Sequence, residues 1–396
     1  MARRVLTLSW EYPPVVEGGL ARHVHKLSEA LVRAGDDVAV ITRGALARTE
    51  HPGGVEVHRV AEPPKPADLR AFLRWIARMN RDVVRAAADL PAPDVVHGHD
   101  WLVGRAAVAL ADRHDVPLVV TIHATEHGRH QGWVRRRPQR TIHEAERDLA
   151  RRADRVVVCS QFMADHVEQV FGVQADVIPN GLDPADLRPV GDLDALRARF
   201  AEPGERLVLL AGRLMYEKGF QHALDALAAV ARRVPEVRFV VAGTGTHEAE
   251  LRRQCTALGL DRRGTFLGWA GDEVLHGLYR VADVCVVPSL YEPFGLVPLE
   301  AMASGCPVVA ADVGGLREVV PNDLVGLRFA PRDAVALTRV LEWALTNPAL
   351  RFRMREEALA HVRGFDWDDV ARRTRAVHVA VARAPVGTGA RATLRA

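Results

Sequence analysis

Short apolar runs alternate with amphipathic stretches over nearly the whole chain. In the first half, the runs at 4–9, 37–42, 55–60, 95–97, 117–122, 155–159 and 175–178 are rich in Val, Ile and Leu and too short for buried helices, so they predict strands. Residues 21–34 carry apolar positions at helical spacing and stop at Gly35, which predicts a helix closed by a left-handed glycine. After an interruption the alternation restarts, with strands expected at 207–211, 237–242, 264–267, 284–288 and 307–311 and helices over 334–344, 350–362 and 367–381. Apolar strands alternating with helices predict parallel, doubly wound sheets, an α/β fold.

The interruption covers 179–206, where Pro179, Asn180, Gly181, Pro184, Pro189, Gly191, Pro203 and Gly204 break every period. It separates an expected first domain, 1–190, from a second, 191–363. A last helix over 364–383 is expected to return to the first domain, and the tail 384–396, rich in Gly, Ala and Arg, to be disordered. A chain of 396 residues is long enough for two such cores. Open parallel sheets bind ligands beyond the carboxyl ends of their strands. Functional residues are therefore expected just after strands, facing a cleft between the domains.

Composition narrows the classes. The 53 Lys and Arg against 50 Asp and Glu leave a formal charge of +3, which calls for no nucleic-acid partner. No apolar run reaches the roughly 18 residues of a membrane span. The first apolar run is too short for a signal peptide core. Cys159, Cys255, Cys285 and Cys306 are scattered and form no CxxC pair, which suits reduced thiols in a cytoplasmic protein. Only Lys26, Lys65 and Lys218 are lysines, so lysine at 218 stands out against a strong arginine bias.

Candidate chemistry sits where the strand pattern puts it. The loop 10–20 follows the first strand and carries Gly18-Gly19 at a helix start; paired glycines there let backbone amides approach a phosphate, or simply make a tight turn with positive φ. His97-Gly98-His99-Asp100-Trp101 and Thr121-Ile122-His123 place titratable groups directly after strands. Asp100 has a plain alternative as a helix N-cap. His123, His127 and His130 lack an acidic partner at metal-site spacing, and the Asp192/Asp194 and Asp366/Asp368 pairs fall in the connector and the last helix, so no metal site is expected. Ser160 reads as an N-cap and Asn180-Gly181 as a tight turn. In the second half, Gly212-Arg213 through Lys218-Gly219 puts a guanidinium and an ammonium after a strand, where a diphosphate would need them. Glu292 and Glu300 stand either side of a helix start near Leu296, with the amides of Phe294, Gly295 and Leu296 placed to cap a phosphate.

Together these segments resemble glycosyltransferase family 4, enzymes of the GT-B architecture with two Rossmann-like domains. Glu292 to Glu300 looks like that family's E-x7-E motif, and Gly212-Arg213 with Lys218-Gly219 like its G-R-x4-K-G segment. Gly18-Gly19-Leu20-Ala21, His97 to Trp101 and Thr121 to His123 are similar to glycogen and starch synthases. Thr121 to Glu126 with Gly128-Arg129-His130 is similar to actinobacterial α-1,4-glucosyltransferases that build glycogen and methylglucose lipopolysaccharide. The resemblance implies a retaining, metal-independent transfer of glucose from UDP-, ADP- or GDP-glucose to an α-1,4-glucan, with no further cofactor. It places Gly18 and Gly19 at the donor diphosphate and His123 beside the transferred sugar. Arg213 and Lys218 fall on the leaving group, Glu292 on the sugar hydroxyls, Phe294 to Leu296 on the phosphates and Glu300 on the ribose. Asp100 falls at the acceptor rim. Val16-Glu17 stands where such synthases carry K-x before the glycines, which leaves the nucleobase open.

Two alternatives stay beside this reading. Over 69–90, Leu69, Leu73, Ile76 and Val83 mark an apolar face and Arg70, Arg74, Arg78, Arg81 and Arg85 a basic one. That suits either peripheral membrane contact by an enzyme with a lipid acceptor, glucosyl or mannosyl, or a helix packed on its own domain. A nucleotide-sugar epimerase, or a non-catalytic sensor, could share the architecture, since fold alone does not give function.

Overall fold

The computed structural model describes residues 2–64, 66, 68–188 and 191–383. The chain divides into two compact units, one of Met1–Gly181 with the segment from Trp367 onward, the other of Leu182–Asp366. The first division thus falls at Gly181 rather than at 190, and the second at 366 rather than at 363. A Cβ at Gly181 would lie 2.6 Å from the Trp367 ring, so the two crossing points pack on each other inside the first unit. Val190 and the tail 384–396 lie outside the described residues.

The first unit holds strands β1 (Arg4–Leu8), β2 (Asp37–Gly44), β3 (Arg48–Glu50), β4 (Glu56–Ala61), β5 (Val95–His99), β6 (Leu118–Ile122), β7 (Arg155–Val158) and β8 (Asp176–Val177). They form one sheet in the order β3-β4-β2-β1-β5-β6-β7-β8, parallel except for β3 on β4. The unexpected β3 is a polar Arg-Thr-Glu edge strand with no apolar alternation to reveal it. The chain builds outward from β1 in one direction, then returns to its other side as β5. That reversal makes the carboxyl ends of β1 and β5 the switch point where ligands of such sheets sit.

The helix Trp367–Arg383 joins this unit late in the chain. Trp367, Val370, Ala371, Val377 and Val381 share one core with Val5, Val24 and Leu27. Arg375 Nε lies 2.9 Å from the buried carboxylate of Asp36, and Arg373 donates to the carbonyl of Val177 at 2.7 Å. The helix Leu69–Ala86 has Trp75, Ile76, Met79 and Val83 buried against β2, β4 and the helix Gly104–His114, with Arg70, Arg74, Arg78, Arg81 and Arg85 exposed. Its apolar face is thus covered by its own unit, the packed-helix reading of the two; the side chain of Leu69 is outside the description.

The second unit holds β9 (Arg206–Ala211), β10 (Val237–Ala242), β11 (Gly264–Gly268), β12 (Val284–Val287), β13 (Val308–Ala311) and β14 (Leu327–Phe329), parallel throughout in the order β11-β10-β9-β12-β13-β14. Its switch point lies between β9 and β12. The three-residue β14 escaped the apolar pattern because Arg328 interrupts it. Asp192 caps the helix Leu193–Ala198 through the amides of Asp194 and Ala195, and Asp368 pairs with Arg33 at 2.6 Å, so one member of each aspartate pair has a structural partner. All four cysteines are buried. Among the described residues no helix is long and apolar enough to cross a membrane.

Candidate functional site

In the first unit the loop after β1 folds back on itself. Gly18 has φ −172° and Gly19 opens the helix Gly19–Arg33, so the pair makes no left-handed turn. A Cβ at Gly18 would meet nothing within 4 Å. The amides of Glu17 and Gly18 instead converge on one carboxylate oxygen of Glu11, at 2.7 and 3.0 Å. Two backbone N–H groups gathered on one oxygen form an anion cradle, and here an internal carboxylate sits in it. Burial raises the pKa of Glu11 against these two bonds. Glu17 is turned toward the buried Arg43, at 2.6 Å, which also holds Glu62 at 2.6 Å.

Along β5 and past the end of β6 runs a file of five histidines, two of them, His97 and His99, on β5 itself. His378 Nε2 is 3.2 Å from His97 Nδ1, and His97 Nε2 is 2.8 Å from Thr121 Oγ1. His97 stacks on His99 at 4.5 Å, and His99 Nδ1 is 3.1 Å from His123 Nε2. His23 meets His123 edge-on at 4.6 Å while its Nδ1 faces Asn180 Oδ1 at 2.8 Å. Burial lowers the pKa of all five, to about 3 for His123 and for His378, so the rings are neutral near pH 7. Asn180-Gly181, expected as a tight turn, forms none; Asn180 instead fixes His23, and Gly181 packs on the Trp367 ring. Ser160 does cap its helix, accepting from the Met163 amide at 3.1 Å.

His123 is positioned from behind by its own backbone. Asp100 has φ 61°, and its carboxylate accepts the His123 amide at 2.8 Å. It makes no side-chain cap to the turn Trp101–Val103, so the N-cap alternative does not hold. Burial pushes the Asp100 carboxyl up to about 6, with the His123 amide, Arg129 and the Ala124 amide pulling the other way. Glu146 lies behind it, accepting the Glu126 amide at 3.0 and 2.9 Å, and burial raises it to about 8. Sequence reasoning missed Glu146 and His23. The signal was present: each occupies an apolar position of its helix, Glu146 between Ile142 and Leu149, His23 four residues before Leu27.

One ring nitrogen each of His23, His99 and His123 lies within 4.8 Å of the others, a grouping that could hold a metal ion. It differs from the His123, His127 and His130 set weighed in the sequence. His130 pairs with Glu126 at 3.1 Å, and His127 lies beside His143 and His166. Zinc–nitrogen bonds place ligand nitrogens about 3.3 Å apart, so the trio would have to contract around an ion.

The second unit brings its predicted residues together at the ends of β9 and β12. Lys218 Nζ lies 2.8 Å from Glu292 Oε2, which also accepts from Ser289 Oγ at 3.0 Å. Arg213, exposed, shares the β9 loop with Lys218. Glycines let these loops touch: a Cβ at Gly219, φ 70°, would lie 1.9 Å from the Pro288 carbonyl oxygen. One at Gly315 would lie 2.4 Å from that of Pro293, where the Gly315 amide donates to the Glu292 carbonyl at 2.9 Å. Gly295, φ 118°, opens the helix Leu296–Ala303. The amides of Phe294, Gly295 and Leu296 donate to no acceptor among the described residues, so three uncapped N–H groups mark the helix start. Glu300 is buried one turn on and accepts from Tyr279 Oη at 3.0 Å.

Two parallel, doubly wound units, each with its functional groups at a switch point, define the GT-B class of glycosyltransferases. Residues 17–186 match the Glycosyltransferase Family 4 model and residues 194–361 that of Glycosyl transferases group 1. The chain is 40% identical to a glycogen synthase of Mycobacterium tuberculosis, over 96% of this chain and 95% of that one. It is 34% identical to a D-inositol 3-phosphate glycosyltransferase of Xylanimonas cellulosilytica, over 89% of each. Among solved structures, sucrose-phosphate synthase of Thermosynechococcus elongatus superposes with a TM-score of 0.82 at 27% identity, covering 96% of this chain and 98% of that one. The chain belongs to glycosyltransferase family 4, and it is a glycosyltransferase.

Proposed function

We propose that this chain is a cytoplasmic, retaining enzyme that moves glucose from UDP-, ADP- or GDP-glucose to the non-reducing end of an α-1,4-glucan, without a metal. The observation that carries the reading is the Lys218–Glu292 pair at 2.8 Å beside the three uncapped amides of Phe294, Gly295 and Leu296, in a chain 40% identical to a glycogen synthase. Arg213, Lys218 and the helix amides supply positive potential to a departing diphosphate; Glu292 accepts hydrogen bonds from sugar hydroxyls; Glu300 accepts from the ribose. Charge stabilised as it develops lowers the barrier rather than merely tightening binding. With cations and amides on the leaving group, the reaction needs no divalent ion. In the first unit, Gly18 and Gly19 approach the diphosphate once Glu11 yields its cradle. His123, neutral, donates a hydrogen bond to the sugar without adding a positive charge beside an oxocarbenium-like centre. Asp100, which holds the His123 amide, lies toward the acceptor.

Release of nucleoside diphosphate from UDP-, ADP- and GDP-glucose, with and without a maltooligosaccharide primer, in EDTA, tests the reading. Primer-dependent release that survives EDTA supports it; loss of activity in EDTA returns attention to the His23, His99 and His123 trio. A second acceptor class is favoured by the 34% identity to a D-inositol 3-phosphate glycosyltransferase: a small phosphorylated polyol. Release with such an acceptor and none with the primer would replace the glucan.

A further inference from the structure

Ten residues past His123 the chain does something costly. Thr125 Oγ1 caps the one-turn helix Glu126–Arg129, accepting from the Gly128 amide at 3.0 Å. Gln131 and Gly132 then both take positive φ, 51° and 86°. The turn is hydrogen-bonded throughout, with Gly132 N–H on the His127 carbonyl at 2.8 Å, Trp133 N–H on that of His130 at 2.9 Å, and Gln131 Nε2 on that of Gly128 at 3.2 Å. The residue this ordered turn presents is Trp133, 70% exposed, the most exposed aromatic among the described residues. Leaving so large an apolar side chain in water forgoes its burial, and a non-glycine residue held in the left-handed region adds backbone strain.

The indole is not bare on both sides. The Arg135 guanidinium lies over the ring at 5.5 Å from its centroid, a cation–π contact that fixes the ring plane. Arg136 and Arg137 are exposed beside it. A flat aromatic face of one ring's area, edged by hydrogen-bond donors, suits a pyranose: its axial C–H groups present an apolar face and its rim is hydroxyl. The same surface is too small and too polar for an apolar protein partner. A polyanion would use the arginines and have no need of the ring.

We propose that Trp133 and Arg135 form an acceptor platform on which a glucose unit of the α-glucan chain stacks. This rests on the glucan reading above. It adds a subsite on the loop after β6, carried by residues that no part of that reading uses.

The test compares wild type with Trp133→Ala, Trp133→Phe and an Arg136→Ala/Arg137→Ala double variant, measuring maltoheptaose binding by calorimetry and primer-dependent kinetics. Trp133 is exposed, so the variants fold, which circular dichroism checks. Expected are a primer KM about tenfold higher in Trp133→Ala, equivalent to about 1.4 kcal/mol, with the loss falling on primer KM rather than kcat, and recovery in Trp133→Phe. A primer KM within about twofold of wild type in Trp133→Ala overturns the platform while leaving the glucan reading standing. Loss in the double arginine variant with none in Trp133→Ala overturns it in favour of an anionic ligand. A wild-type protein that neither binds nor extends maltoheptaose overturns both readings.

Discussion

The two units place their functional groups at equivalent points of similar sheets but hold them there by different means. In the first unit, side chains do the positioning: a file of neutral imidazoles from His378 to His23, with Asp100 gripping the His123 backbone. In the second unit, backbone does it: Gly219 and Gly315 bring loops within carbonyl contact of each other, and one ion pair, Lys218 with Glu292, sits on that frame. Side-chain positioning makes the first edge titratable. Backbone positioning makes the second edge intolerant of added atoms.

The largest test of this contrast is acid. His23, His97, His99, His123 and His378 are all held neutral, with folded pKa values below the ordinary 6.5, so the stability they allow is present above that value and lost as pH falls. At pH 5 His123 and His378, with values of about 3, each cost about 2 kcal/mol relative to an unfolded chain that takes up the proton, and burial shifts His23, His97 and His99 in the same direction. Asp100 and Glu146 have raised values, about 6 and about 8, so their contribution is largest in acid and lost as pH rises through those values; between pH 7 and 5 they return roughly 4 kcal/mol together. His123 and His378 roughly offset the two carboxyls, so burial of His23, His97 and His99 makes the expected net a loss of stability in acid, concentrated in the first unit. Segment-resolved hydrogen exchange at the two pH values checks it, and equal loss in both units would erase the distinction.

Next in size, Lys218→Ala is expected to lower kcat by about a thousandfold, near 4 kcal/mol, with an unchanged circular dichroism spectrum. Turnover at the wild-type rate would falsify the leaving-group assignment. Gly219→Ala should cost about 3 kcal/mol of stability, since its methyl would lie 1.9 Å from a backbone carbonyl at positive φ. Gly18→Ala, by contrast, should cost less than about 1 kcal/mol, because its φ is extended and its surroundings are open; urea unfolding of the pair compares them. A loss at Gly18 as large as that at Gly219 would mean that backbone also governs the first edge.

What could be read in advance follows the same division. The alternation of Val- and Leu-rich runs with helices exposed both sheets, because buried parallel strands leave an unmistakable apolar signature; β3 and β14, short and polar or interrupted, left none. Lys218, Glu292 and the 294–296 amides were legible because each follows a strand in a compact segment. The histidine file was not, since His23, His99, His123 and His378 come from four distant segments and only folding lines them up. Gly18 illustrates a different case: the sequence offered an amide approaching a phosphate or a tight turn, and the amide serves Glu11, a pairing that six intervening residues conceal.

The late return of the chain to the first unit has a consequence for synthesis on the ribosome. The unit begun first is finished last: His97 waits 281 residues for His378. Trp367, Val370 and Val377 must emerge before the face of Val5, Val24 and Leu27 is covered. The second unit is contiguous and can close while its predecessor is still incomplete, the reverse of ordinary amino-to-carboxyl domain order. A nascent chain paused anywhere from 182 to 366 therefore carries an uncovered apolar face at its amino-terminal end, where a chaperone would find it.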